Sequence, residues 1–184
     1  MATGKTLMNE THFLRNQLAT EHRHLEAVLK ACTDAIASAP PDSPADVFLQ
    51  TCADYLMSGV KAFALRDRAR LALHYGRSAP SDQDGHSASA QLESAIASAV
   101  ALWAGVESAG VDTKALRRAT QALTQWMAKR EAAKDCLDAS AYTVEQWRKV
   151  SFIDAKSIVD ERERYARVEK ALPLGVRALE RNGH

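Results

Sequence analysis

Apolar residues recur along this chain at steps of three and four, and they nowhere alternate with period two for long enough to make a strand. The pattern therefore predicts helices throughout. The first covers about 9–37, faces inward through Leu18, His22, Leu25, Leu29, Cys32 and Ile36, and stops before Pro40 and Pro41. A second covers about 45–75, with Ser43 as its cap, Pro44 in its first turn and Asp46 three residues past the cap. Its stripe runs Phe48, Cys52, Leu56, Val60, Phe63, Asp67, Leu71 and His74. The third, about 88–109, carries Leu92, Ile96, Ala99, Trp103 and Val106 and ends at Gly110, a natural left-handed stop. Asp112 or Thr113 then caps a fourth, about 114–139, which faces inward with Leu116, Ala119, Leu123, Trp126 or Met127, Arg130, Ala133 and Leu137. The capping box Thr143-Val-Glu-Gln146 opens a fifth, about 144–172. Positions 76–87 have the composition of a loop, and 174–184 form a short tail.

Five helices joined by short turns predict an all-α fold, an up-and-down four-helix bundle with one additional helix, in a single domain over 1–184. The fifth helix has the most informative seam: Val144, Trp147, Ser151, Asp154, Ile158, Glu161, Tyr165, Val168 and Leu172 alternate by threes and fours. Two of these positions are carboxylates. A buried carboxylate must be paired with a cation, bound to a metal or protonated, so Asp154 and Glu161 both require a partner.

Composition narrows the possibilities by exclusion. With 24 Lys and Arg against 23 Asp and Glu, the net charge of +1 offers no field that would attract nucleic acid or an anionic membrane. The opening MATGKTLMNETHF lacks an apolar leader core, and no run reaches the roughly 18 apolar residues that would span a bilayer, so a cytoplasmic protein is expected. Cys32, Cys52 and Cys136 make neither a disulfide framework nor a CxxC or CxxCH motif. Cys32 and Cys52 fall on apolar stripes of consecutive helices and are expected to be small buried hydrophobes. Trp103, Trp126 and Trp147 are expected as packing anchors. No nucleotide loop, nucleophile elbow or HExxH is present, and no catalytic residue is assigned.

The inward polar residues form the candidate site. They are His22, with Glu26 one turn beyond it, Asp67 and His74, Arg130 or Glu131, and Asp154 with Glu161. Histidines and carboxylates projecting from facing helices are how bundles build metal sites. Spacing also offers a simpler arrangement. Asp154 and Glu161 are two turns apart, roughly 10 Å, too far to share one compact ion unaided. The turn between the fourth and fifth helices brings Asp154 near Arg130, and Arg70 of the second helix is available to Glu161. Such buried pairs fix register without carrying chemistry. His12 and His24 lie off the inward line and are expected in solvent.

Three segments together resemble the hemerythrin-like (HHE cation-binding) bundles: THFLRNQLATEHRHLEAVL in the first helix, ALRDRARLALH at the end of the second, and WRKVSFIDAKSIVDERERYARVEKALP in the last. The resemblance implies an all-α bundle and a non-haem di-iron centre held by histidines and carboxylates. On it, His22 matches the first-helix ligand, Asp67 or His74 the second-helix group, and Asp154 or Glu161 the acidic ligand of the last helix. Between positions 87 and 183 there is no histidine, so the family's ligands from its later helices have no counterparts here.

The function expected from the sequence is accordingly a non-enzymatic binding or sensory bundle. Its core would hold a metal, iron or another divalent ion, or else a small polar ligand, through His22, Glu26, Asp67, His74, Asp154 and Glu161. The alternatives are a metal-free module that binds another protein or a second copy of itself, and a ferritin-like di-metal enzyme.

Overall fold

Side-chain caps set four of the helix starts. Asp46 accepts from the Leu49 amide at 2.8 Å, Asp112 from Ala115 at 2.7 Å, and Thr143 from Gln146 at 3.2 Å, each satisfying an amide that the first turn leaves unpaired. The fourth cap, Asp154, falls where the sequence pattern predicts continuous helix. In the computed structural model, which describes residues 4–76 and 83–173, the helices are α1 (Gly4–Ser38), α2 (Val47–Tyr75), α3 (Gln83–Ala109), α4 (Thr113–Ala132), α5 (Val144–Ser151) and α6 (Ala155–Ala171). The fold is all-helical, with no strand among the described residues.

Helix α1 begins at Gly4, about five residues before its expected start, and four further boundaries differ from expectation for local reasons. Helix α2 is capped by Asp46 rather than Ser43, whose hydroxyl instead donates to the Pro40 carbonyl. Helix α3 begins at Gln83, inside the segment expected as loop; the rest of that loop, 77–82, lies outside the described residues, as does the tail from 174. Helix α4 gives way after Ala132, where amides turn to carbonyls three residues back, Cys136 to Ala133 and Leu137 to Lys134. The expected fifth helix is two helices. Phe152 adopts a left-handed conformation (φ 50°), and Asp154 and Ser157 form a second capping box: the Asp154 carboxylate accepts the Ser157 amide at 2.7 Å, and the Ser157 hydroxyl accepts the Asp154 amide at 2.9 Å.

Contacts link α1 to α2, α2 to α3, α3 to α4 and α4 back to α1, closing a ring, with α5 and α6 lying across α1 and α2. The loops after α1 and α3 meet through a bridge between Pro44 and Asp112. Gly110 takes the expected positive φ (92°) that ends α3. The main core runs through the ring along Leu25, Val28, Cys32, Leu56, Val60, Leu92, Ile96, Leu116, Leu123 and Trp126. A smaller apolar cluster, Leu14, Ala139, Tyr142, Trp147 and Val150, seats α5. Cys32 and Cys52 are buried free thiols in contact, and the Cys52 thiol is pushed up by its bond to Cys32 and by burial. No described helix is long and apolar enough to cross a membrane.

Candidate functional site

Where α1 and α2 pass beneath α4 and α5, the core becomes polar. Helix α2 presents Arg66, Asp67 and Arg70 within little more than one turn, and all three are buried. Each occupies a different surrounding. Asp67, wholly excluded from solvent, accepts from Arg130 Nε at 3.1 Å and from the Trp126 indole at 3.1 Å. Arg66 donates to Glu21 at 2.5 Å and, through Nε, to the Ser151 carbonyl at 2.7 Å. That carbonyl is free because the chain leaves its helix at Phe152, so Arg66 sits at the negative end of α5. Glu21 is completed by Gln17 at 3.2 Å.

Arg70 has no such partner. It is 8% exposed, its Nε is buried without an acceptor among the described residues, and its guanidinium lies over the Trp147 ring at 5.7 Å. Burial, followed by repulsion from Arg130, lowers its pKa, against attraction from Asp67. A buried guanidinium nitrogen without a hydrogen bond carries a desolvation cost, and a cation–π contact returns only about 0.5–2 kcal/mol.

Arg70 faces open space. A cavity of about 170 Å³ is lined by Leu18, Ala19, His22, Phe63, Arg66, Arg70 and Arg130. A second, of about 400 Å³, shares His22, Arg70 and Arg130 and adds Glu26, Met127, Glu131, Lys134 and Leu137. Arg66 and Arg130 both lie over Phe63, at 5.4 and 5.9 Å. His22 contacts Glu26 at 3.2 Å and leaves Nδ1 buried without a partner. Its pKa is lowered by burial first and by Arg130 second, outweighing Glu26 and Asp67, so the ring favours its neutral form. The Glu21 and Asp67 carboxylates are each matched by an arginine. Glu26, Glu131 and Lys134 lie at the exposed rim, and among the buried charges of the described residues here Arg70 is the one without a counter-charge, so the inner end of the cleft suits an anion.

No family model, no curated protein and no solved structure matches this chain.

The six residues expected to ligate a metal do not form one set. His22, Glu26 and Asp67 border or underlie the same cleft, but Asp67 is occupied by Arg130 and Trp126, and three guanidinium groups surround the space. His74 is half-buried beside the Tyr75 ring at 6.2 Å. Asp154 is corrected outright: it is an exposed helix cap, held below the usual carboxylate range by its bonds to Ser157, and it makes no pair with Arg130. The helix break moves it out of the seam. Glu161 is buried, but beside α1 and α2 at a separate place, and its expected partner Arg70 is replaced by Tyr55 at 2.8 Å and His24 at 2.9 Å. Among the described residues no group of three or more His, Cys, Asp or Glu side chains is arranged to hold a metal. The di-iron centre that the hemerythrin resemblance implies does not fit the residues placed here, because cations crowd the one cleft where its candidate ligands approach.

Sequence reasoning missed Glu21, Arg66 and His24. Counting back from Leu25 in steps of four and three reaches Glu21, Gln17 and Leu14, all buried, rather than His22 and Leu18. That one-position shift in register was the available signal for Glu21. His24, expected in solvent, stacks on Tyr165 with ring centroids 3.7 Å apart. Nothing in the local pattern of α1 indicates it, since its partners belong to α6.

Proposed function

We propose that this protein is a binding or sensory bundle of the up-and-down, hemerythrin-like type whose cleft takes a small anionic ligand in place of a metal. The ring of contacts among α1 to α4 supports the architecture. The observation that carries the ligand reading is Arg70, a buried guanidinium without an acceptor that borders two cavities. An anion there gains charge-assisted hydrogen bonds from a fork already desolvated and held against Trp147. Arg130 supplies further donors at the same walls, and Phe63 gives the ligand an apolar flank.

Calorimetric titration with inorganic phosphate, sulfate and succinate, at ionic strength held constant with chloride, tests this reading. Saturable binding of at least one of them, weakened tenfold or more by Arg70→Gln, is expected. Heats no different from chloride for all three anions would contradict it.

A further inference from the structure

On the other side of Arg66 lies a cavity of about 170 Å³ between α1, α2 and the α5–α6 junction, lined by Tyr55, Leu65, Phe152, Glu161 and Arg164 among others. Its chemistry differs from that of the Arg70 cleft. Glu161 is 7% exposed. Its Oε1 accepts two hydrogen bonds, from the Tyr55 hydroxyl and the His24 ring, while its Oε2 is buried and has no donor. Burial opposes the carboxylate's charge, but the bonds from His24 and Tyr55 outweigh it and hold the group ionised. Among the described residues neither an arginine nor a backbone amide donates to Oε2. The oxygen therefore asks for a donor from outside the chain.

Arg164 supplies the complementary half. It lies one turn after Glu161 on α6, half-buried at the wall of the same cavity, where its charge favours the Glu161 carboxylate but no hydrogen bond or ion pair joins the two. Glu21 and Arg66 also border the space but satisfy each other. The lining thus offers one carboxylate oxygen in need of a donor and one guanidinium in need of an acceptor. Two apolar side chains unusually exposed for their size, Leu65 and Phe152, stand beside them. A cavity of about 150 Å³ holds a ring of six carbons, so this one has room for a molecule of comparable size.

We infer that this cavity binds a small zwitterion, a free α-amino acid, whose ammonium donates to Glu161 Oε2, whose carboxylate is held by Arg164 and whose side chain rests against Leu65 and Phe152. This site is separate from the anion cleft, whose walls include neither Glu161 nor Arg164.

The test is a thermal-shift titration of the full chain with L-alanine, L-serine, L-valine and L-leucine. For valine, isobutylamine and 3-methylbutanoate serve as the two half-ligands. A ligand that binds the folded state raises its melting temperature in a saturable way. At least one amino acid is expected to do so, and each half-ligand matched to it should bind at least tenfold more weakly. Arg164→Met, at a half-buried position, should weaken binding tenfold or more with an unchanged circular dichroism spectrum. Glu161→Gln, which keeps an acceptor for Tyr55, should do the same with an unchanged circular dichroism spectrum. Arg70→Gln should leave amino-acid binding intact, so that failure here and failure of the anion reading are separable. No shift with any amino acid, an equal shift with the amine or the acid alone, or full binding by Arg164→Met would overturn the inference.

Discussion

Asp67 and Arg130 make the clearest pairwise claim at the residue scale. Asp67 is inaccessible to solvent and its oxygens are taken by Arg130 and Trp126, so removing it strands two donors. Asp67→Ala should cost about 3 kcal/mol in urea denaturation, the range for breaking one side of a buried pair. A double-mutant cycle with Arg130→Met should give a coupling of about 1 kcal/mol or more, whereas a cycle of Asp154→Ala with Arg130→Met should be additive within about 0.5 kcal/mol. The opposite pattern would restore the pairing that the seam of the last helix predicts. Both residues of the true pair were legible in the sequence as inward polar positions; their partnership was not. It depends on which helices face one another, and periodicity carries no information about that.

Helix boundaries show the same division at the scale of the element. Helical type and the caps at Asp112 and Thr143 follow from local chemistry and are found where the sequence places them. The break at Phe152 was hidden because Val144 to Leu172 keeps a helical period straight through it, with no glycine or proline to mark the turn. Its only sequence trace is Asp154 with Ser157 three residues on, a weak cap signal inside an otherwise periodic run. Asp154→Ala should therefore destabilise the protein by about 1 kcal/mol, the usual cost of losing a cap. Asp154→Asn, which preserves the acceptor, should recover most of that loss. Equal losses in the two variants would show that Asp154 acts through its charge and not through the cap. The break also has a consequence beyond α6: it exposes the Ser151 carbonyl that anchors Arg66, and so fixes the wall between the two cavities.

Across the whole molecule the buried ionisable groups predict a direction of pH dependence. His22 is held below its ordinary value of 6.5 by burial and Arg130, so the unfolded chain binds its proton more readily. Stability from this group is complete above about pH 6.5 and is lost as the pH falls through the lower folded value. Glu161 is held below 4.5, burial being outweighed by His24 and Tyr55, so its contribution is present above 4.5 and lost below. Unfolding free energy should thus fall on acidification in two stages, the first beginning near pH 6.5. His22→Gln should remove the first stage and leave the second. A stability that is flat from pH 7 to 5 in the native sequence would contradict the placement of His22. The polar core is what sets these slopes, and the sequence revealed that it exists while leaving its pairing to the packing of α5 and α6 over α1 and α2.

On the proposed function, Arg70 is a buried cation that serves a ligand and not the stability of the empty fold. The most direct test is the unfolding free energy of Arg70→Met compared with the native sequence in chloride alone, without phosphate or other polyvalent anions. Methionine fills much of the same volume without a charge to desolvate, so the variant should be at least as stable, by about 1 kcal/mol in its favour once the lost contact with Trp147 is set against the relieved burial. A variant less stable than the native protein by more than about 1 kcal/mol would mean that Arg70 holds the fold together, and the anion cleft would lose its principal support.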